Sequence, residues 1–284
     1  MPDLVITGIP RSGTTLAAAI VDQSDDAFCL SEPDSHVDLM RAANDADDFV
    51  ARLVADFQAT RAALLSGETV SDKRGGDAAP VTDYFPVTAH GRREAAFAIR
   101  DVSRPGLSRD FLLGVKHNAL YAAVLPQIVR TRRFRVVALV RDPVAVLRSW
   151  QSLDLPISHG RLPAAERFWP SIAAISNSPM LLRDKQIRIY DLLCRRFADL
   201  SRCIEIVHYE ALLGDPAVLI EACGAKALPR AYAVVRPRTA AGHESRGEDR
   251  DGAARIRELA VNGELPGLCR FYPEYANRRV DIRG

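Results

Sequence analysis

The residues best suited to chemistry come at the start of the chain. Gly8-Ile9-Pro10-Arg11-Ser12-Gly13-Thr14-Thr15 has the frame of a phosphate-binding loop, two glycines five positions apart followed by hydroxyl residues. Between a strand and a helix, such a loop points backbone N–H groups and the positive end of the helix at a phosphate. The version that hydrolyses nucleoside triphosphates places lysine directly after the second glycine; here Thr14 stands there, and the cation is Arg11 inside the loop. The loop is thus expected to hold a 5′-phosphate, with no provision for a triphosphate–magnesium complex. The plainer reading is a glycine turn without a ligand. A second group follows the apolar run Val136 to Val140: Arg141-Asp142-Pro143, then Ser149-Trp150. A buried strand would deliver Arg141 at its C-terminal end, where ligands of open α/β sheets bind. Ser149 falls about two helical turns later. A guanidinium with a hydroxyl suits a second phosphate, although Arg141 and Asp142 could equally form a structural ion pair.

These residues need elements to hold them. Leu4 to Thr7 reads as a strand, Thr14 to Val21 as a helix start and Ala27 to Ser31 as a second strand ending at Glu32. Asp45 to Leu65 has helical periodicity, with Phe49, Leu53, Phe57 and Leu64 on one face. From Ser66 to Arg93 the chain turns polar and glycine-rich, predicting a mobile loop or lid. Phe111 to Val115 and Phe134 to Val140 are strand-like, Ala119 to Arg130 helical, and Pro143 opens a further helix. Arg183 to Leu200 is a long amphipathic helix, Cys203 to Val207 a strand, and Asp215 to Cys223 and Ala253 to Val261 are helices. Residues 236–252 are expected to be irregular, as a lid could be. Strands alternating with helices imply an α/β fold, a parallel sheet with helices on both faces. A single domain over residues 1–284 is the simplest organisation.

Bulk properties narrow the function. A 48% hydrophobic, 26% charged chain of 284 residues can build a full core. A net charge of +2 provides no global field for nucleic acid or an anionic membrane. The run Arg130 to Arg135 reads as a solvated helix-to-strand turn. Five scattered cysteines without a CxxC pair argue against disulfides and a zinc site and suit a reducing compartment. With no signal peptide pattern and no stretch of membrane-spanning length, the cytoplasm is the expected location. Lys73, Lys116, Lys185 and Lys226 are the only lysines among 38 basic residues, so each merits attention.

In this order and on these elements, the two phosphate motifs resemble the sulfotransferase family, in wording nearest its tyrosylprotein-type and related bacterial members. The resemblance covers residues 1–33, 111–152 and 203–217. It implies a three-layer P-loop-type fold, 3′-phosphoadenosine-5′-phosphosulfate (PAPS) as donor, a hydroxyl-bearing acceptor and no metal. The 5′-phosphosulfate loop would comprise Arg11, Ser12, Gly13, Thr14, Thr15 and Leu16, and Arg141 with Ser149 would hold the 3′-phosphate. Leu113-Gly114-Val115-Lys116 resembles the family's strand ending in an active-site lysine, and Val207-His208-Tyr209-Glu210 its segment whose tyrosine lies by the adenine. Arg11 and Lys116 would stabilise charge on the leaving phosphate. Glu32 follows Arg11 by the interval of the family's catalytic glutamate and is the favoured base; His117, beside Lys116, is its rival. The bland readings are a salt-bridged Glu32 and a helix-capping His117. Nothing clearly matches the Arg-Lys-Gly stretch that closes over the 3′-phosphate in cytosolic members; Arg236 or Arg238 are the substitutes at hand. A P-loop small-molecule kinase and a non-catalytic adenosine-bisphosphate-binding module are the alternatives. Neither the acceptor nor the oligomeric state is legible.

Overall fold

The computed structural model describes residues 2–88, 93–226 and 250–277. In chain order the elements are β1 (Asp3–Gly8), α1 (Thr14–Asp22), β2 (Ala27–Ser31), α2 (Asp34–Ala42), α3 (Ala46–Leu65), β3 (Val70–Arg74) and β4 (Ala98–Val102). There follow β5 (Leu112–Lys116), α4 (Asn118–Ala123), α5 (Leu125–Thr131), β6 (Phe134–Val140), α6 (Pro143–Gln151), α7 (Pro163–Glu166), α8 (Pro170–Ser176) and α9 (Leu182–Asp199). The described chain closes with β7 (Glu205–His208), α10 (Tyr209–Gly214), α11 (Ala217–Cys223), α12 (Arg250–Val261) and α13 (Pro266–Phe271).

Five strands form a parallel sheet in the order β2-β5-β1-β6-β7. Strands buried on both faces must be apolar nearly throughout, as Leu4 to Ile6 and Val136 to Val140 are, at 0–2% exposure. On one face Leu4, Ile6, Cys29, Val137 and Leu139 pack against α1 and α11 through Leu16, Ile20, Val21, Leu219 and Cys223. On the other, Val5, Phe28, Val115, Val136 and Ala138 meet a larger cluster that includes Phe57 of α3, Leu120 of α4, Trp150 of α6 and Phe197 of α9. The expected α/β layering is thus the architecture found.

Three local expectations are revised. The segment expected to be a mobile loop or lid contains β3, paired antiparallel with β4 from Val70↔Val102 to Arg74↔Ala98. Its inward positions are the charged Asp72 and Arg74, both 3% exposed, so the period-two pattern runs in ion pairs, where hydropathy cannot reveal it. The helix read over residues 119–130 is two helices, broken at Val124, after which Pro126 occupies the first turn of α5. α12 starts at Arg250, inside the stretch expected to be irregular; the rest of that stretch, residues 236–249 with Arg236 and Arg238, lies outside the described residues. The arginine-rich turn is as read: Arg132 ends α5 in the left-handed region (φ 54°), and exposed Arg130 pairs with Asp47.

Asp22, at the last residue of α1, fixes β3 to the sheet. Its Oδ1 accepts from the Cys29 N–H at 2.8 Å, and its Oδ2 from Arg74 at 2.7 Å and Arg104 at 3.2 Å. Arg74 also lies 2.7 Å from Asp72. Removing one partner of a buried charge cluster strands the others, at a typical cost of about 3–5 kcal/mol. Asp22→Ala is accordingly expected to lose about that much stability in urea unfolding. A loss below about 1 kcal/mol would mean that the cluster does not hold β3 in place.

Candidate active site

All five strands of the sheet point their C-terminal ends at one edge, and each contributes there. Read across the sheet, Glu32 follows β2, Lys116 ends β5 with His117 next to it, the Gly8–Thr15 loop follows β1, Arg141 follows β6 and Tyr209 follows β7. In open parallel sheets this edge is where ligands bind.

The loop is held by its neighbours more than by itself. Gly8 has φ 156°, and a Cβ there would lie 2.6 Å from the Leu139 carbonyl, so only glycine lets β1 leave the sheet so close to β6. The Ser12 hydroxyl donates to the same Leu139 oxygen (3.0 Å), and the Trp150 indole N–H donates to the Pro10 carbonyl at 2.8 Å. Ser12 is 0% exposed; its hydroxyl is a strut and its N–H donates to the Ile9 carbonyl at 3.0 Å, so both of its donors are committed within the protein. Leu16 is likewise packed into the core. Gly13, at φ 85°, caps α1 without a side-chain cap bond, and the first intrahelical N–H bond runs from Ala17 to Gly13. The N–H groups of Thr14, Thr15 and Leu16 precede that bond and have no carbonyl of their own helix to reach. Arg11 has φ 73°, a conformation uncommon for a side-chain-bearing residue and one that occurs at ligand clamps.

The second phosphate motif is tied to this loop. Arg141 donates to the Arg11 carbonyl at 3.1 Å, and the Arg11 Nε donates to the Ser149 hydroxyl at 3.1 Å. Arg11, Arg141 and Ser149 are therefore brought together, with Arg11 in the middle. Tyr209 joins them: its ring lies under the Arg141 guanidinium at 4.5 Å and fills the space a Gly13 Cβ would need. No ion pair links Arg141 to Asp142 among the described residues. Asp142 instead caps α6 by accepting from the Ala145 N–H (2.9 Å), and its own N–H donates to Glu210 at 2.9 Å. The two motifs clamp each other: Tyr209 supports the arginine while Glu210 supports the backbone after it.

Across the loop the Lys116 side chain is 1% exposed, and its ammonium donates to Glu32 at 2.7 Å and to the Thr15 hydroxyl at 3.2 Å. The Tyr84 ring faces it at 4.8 Å. Burial, the largest single effect, would raise the Glu32 pKa, but Lys116, His117 and Lys73 together outweigh it and hold the carboxyl at about 2. Glu32 is thus an ionised acceptor, 24% exposed, whose ion pair with Lys116 lies at the edge where the strands end. Its φ of 53° is also left-handed. His117 differs. Burial pulls its pKa down to about 3, its Nδ1 has no hydrogen-bond partner, and it precedes α4 without a side-chain cap bond. The ring is a neutral, enclosed group, 9% exposed.

Several residues here were not identified from sequence. Lys73 of β3 donates to the Glu32 carbonyl at 2.7 Å, Asp72 accepts from the Ser31 N–H at 2.8 Å, and the Tyr84 and Ser31 hydroxyls lie 2.7 Å apart. Asp83 pairs with Arg11 at 3.1 Å. All four come from the segment expected to be a loop. The scarcity of lysine was the only sign, and it pointed at Lys73 without assigning it a role.

Among the described residues, no helix is long and apolar enough to cross a membrane, and no cluster of three or more His, Cys, Asp or Glu could hold a metal ion. The chain is similar to a solved sulfotransferase from Alicyclobacillus acidocaldarius, with 11% identity, 98% of this chain and 97% of that one covered, and a TM-score of 0.45. A sulfotransferase from Mycobacterium tuberculosis is matched at 12% identity over 79% of this chain and 68% of that one, with a TM-score of 0.37. No curated protein matches. A family profile described as "Sulfotransferase family" matches residues 2–223, and on that match the chain belongs to the sulfotransferase family.

Proposed function

We propose that this sulfotransferase takes its sulfuryl group from PAPS and transfers it to a hydroxyl of a glycan, peptide or small-molecule acceptor. The observation that carries the reading is the spatial order of the strand ends: carboxylate, buried lysine, phosphate loop, arginine and tyrosine across adjacent strands. The residues present suit such a donor. Arg141 is bonded to the Arg11 carbonyl, and Gly13 starts α1 without a side-chain bond to its first N–H groups. The loop and Arg11 would hold the 5′-phosphosulfate, Arg141 with Ser149 the 3′-phosphate, and Tyr209 the adenine. When bound, PAPS supplies the sulfuryl group and leaves as adenosine-3′,5′-bisphosphate. Arg11 and Lys116 place positive charge where the leaving phosphate becomes negative. Glu32 accepts the acceptor's hydroxyl proton, and Lys116 fixes its carboxylate by the 2.7 Å ion pair. His117 is the second choice for base, since its ring is enclosed. Five free cysteines suit a reducing cytoplasm. Incubation with labelled PAPS and a panel of hydroxyl acceptors, followed by mass spectrometry, tests the reaction; no labelled product from any acceptor, despite donor binding, would favour a non-catalytic module.

Adenosine-3′,5′-bisphosphate is expected to bind without a divalent metal, because Thr14 stands where a triphosphate loop carries its lysine. Calorimetry with and without EDTA measures this, and loss of binding in the chelator counts against the donor assignment.

Arg141→Ala is expected to weaken bisphosphate binding about ten- to a hundredfold, the ~1.5–3 kcal/mol of a charge-assisted contact. Turnover at saturating PAPS should change far less, because the 3′-phosphate is remote from the transferred group. An unchanged Kd in the folded variant removes Arg141 from the site.

Glu32→Gln keeps a hydrogen-bond acceptor for Lys116 but loses the proton acceptor. Turnover should fall by about 10²–10⁴ with bisphosphate affinity retained; the thermal midpoint drops, because the buried Lys116 ammonium loses its charged partner, but a cooperative transition shows the variant is folded. His117→Asn is the paired control. If it alone abolishes turnover while Glu32→Gln remains active, the base is His117.

A further inference from the structure

Asp83 and Arg93 lie on two arms of a hairpin-like segment over the phosphate loop. An isolated antiparallel bridge pairs Val87 with Arg93, the Ala96 N–H donates to the Tyr84 carbonyl at 2.9 Å, and the Glu94 N–H donates to the Pro86 carbonyl at 3.3 Å. The base of the segment is fixed to the sheet by the buried Tyr84, whose hydroxyl donates to the Ser31 carbonyl at 2.8 Å. The Asp83 Oδ1 accepts from Arg11 at 3.1 Å, and its Oδ2 lies 3.6 Å from Arg93. The Phe85 N–H orients the carboxylate (3.1 Å), and Arg93 donates to the Phe85 carbonyl at 2.9 Å. One carboxylate thus holds two guanidiniums together, and Arg141 is joined to the backbone of the first. Burial, followed by the neighbouring charge of Arg11, lowers the Arg93 pKa, with Arg141 contributing less. Among the described residues Asp83 is the only carboxylate paired with any of these three arginines. Three positive groups against one negative leave an excess of two, which is a site for an anion.

We infer that Arg93 is a third arginine of the donor site, and that Asp83 is the resident counter-ion which the donor's phosphosulfate end displaces from Arg11. The inference rests on the donor reading above. Asp83 is 39% exposed and Arg93 24% exposed, so a ligand can reach both without unfolding the segment. The two residues have opposite effects on an incoming anion: Arg93 attracts it, while Asp83 repels it and occupies Arg11.

Calorimetry with adenosine-3′,5′-bisphosphate, on the full chain and three variants, tests this. Arg93→Ala is expected to bind at least tenfold more weakly, Arg93→Lys to recover part of the loss, and Asp83→Asn to bind severalfold more tightly. Thermal midpoints confirm that each variant is folded. A purely structural tie would make Asp83→Asn and Arg93→Ala change in the same direction, and that result overturns the inference, as does an Arg93→Ala affinity equal to wild type. Failure of the wild-type protein to bind the bisphosphate overturns the donor reading and this inference together. Wild-type binding that is insensitive to Arg93→Ala overturns this inference alone.

Discussion

The ammonium of Lys116 ends a central strand at 1% side-chain exposure, and burying a charge so completely costs several kcal/mol unless partners replace the lost water. Those partners come from three directions. Thr15 arrives from the phosphate loop, Glu32 from the end of β2, and Tyr84 from the segment between β3 and β4. Each partner is itself committed. Thr15 lies in the first turn of α1, the Glu32 carbonyl accepts from Lys73, and Tyr84 is bonded to Ser31. The requirement of one cation therefore draws together the loop, the carboxylate and the inserted hairpin. It also explains why Glu32 stays ionised at the mouth of a partly apolar cleft.

The other half of the site is built on a different principle. Around Arg141 the fixing contacts are neutral hydrogen bonds to backbone: Trp150 to Pro10, Ser12 to Leu139, and Tyr190 to the Arg141 carbonyl at 2.6 Å. Such bonds set geometry without using up guanidinium charge. Ser149 and Trp150 are adjacent on α6, one turned toward Arg11 and the other clamping the loop that carries it. The helix thus couples the position of the Ser149 hydroxyl to that of the loop. Charge is compensated on the lysine side and left in excess on the arginine side, which suits proton acceptance at one end and anion binding at the other.

The parts legible in the sequence are those where an apolar strand ends abruptly in a chemically distinctive residue. β1, β5 and β6 read this way, and so did the loop, Lys116 and Arg141. Ser12 and Leu16 are named by the motif; only packing shows that their side chains turn inward. β3 was illegible because its buried face is Asp72 and Arg74, and charged alternation resembles a solvated loop until their partner Asp22 is known. Asp83 meets Arg11 from 72 positions away, a pairing that no local pattern encodes. The break at Val124 has a plain local cause in Pro126, whose effect the alanine-rich flanks conceal.

β2 is the outermost strand of the sheet, and its inner side is paired with β5. An outermost strand with free N–H and C=O groups is a template for another chain's strand. Here four of the outward groups are taken by side chains. Asp22 accepts from the Cys29 N–H, Asp72 from the Ser31 N–H, Arg104 donates to the Ala27 carbonyl and Tyr84 to the Ser31 carbonyl. Asp72 and Tyr84, which brace the segment around Glu32, thus also occupy pairing groups along the β2 border of the sheet. Changes that reach Asp72 or Tyr84 would free the Ser31 N–H and carbonyl and open this strand to another chain.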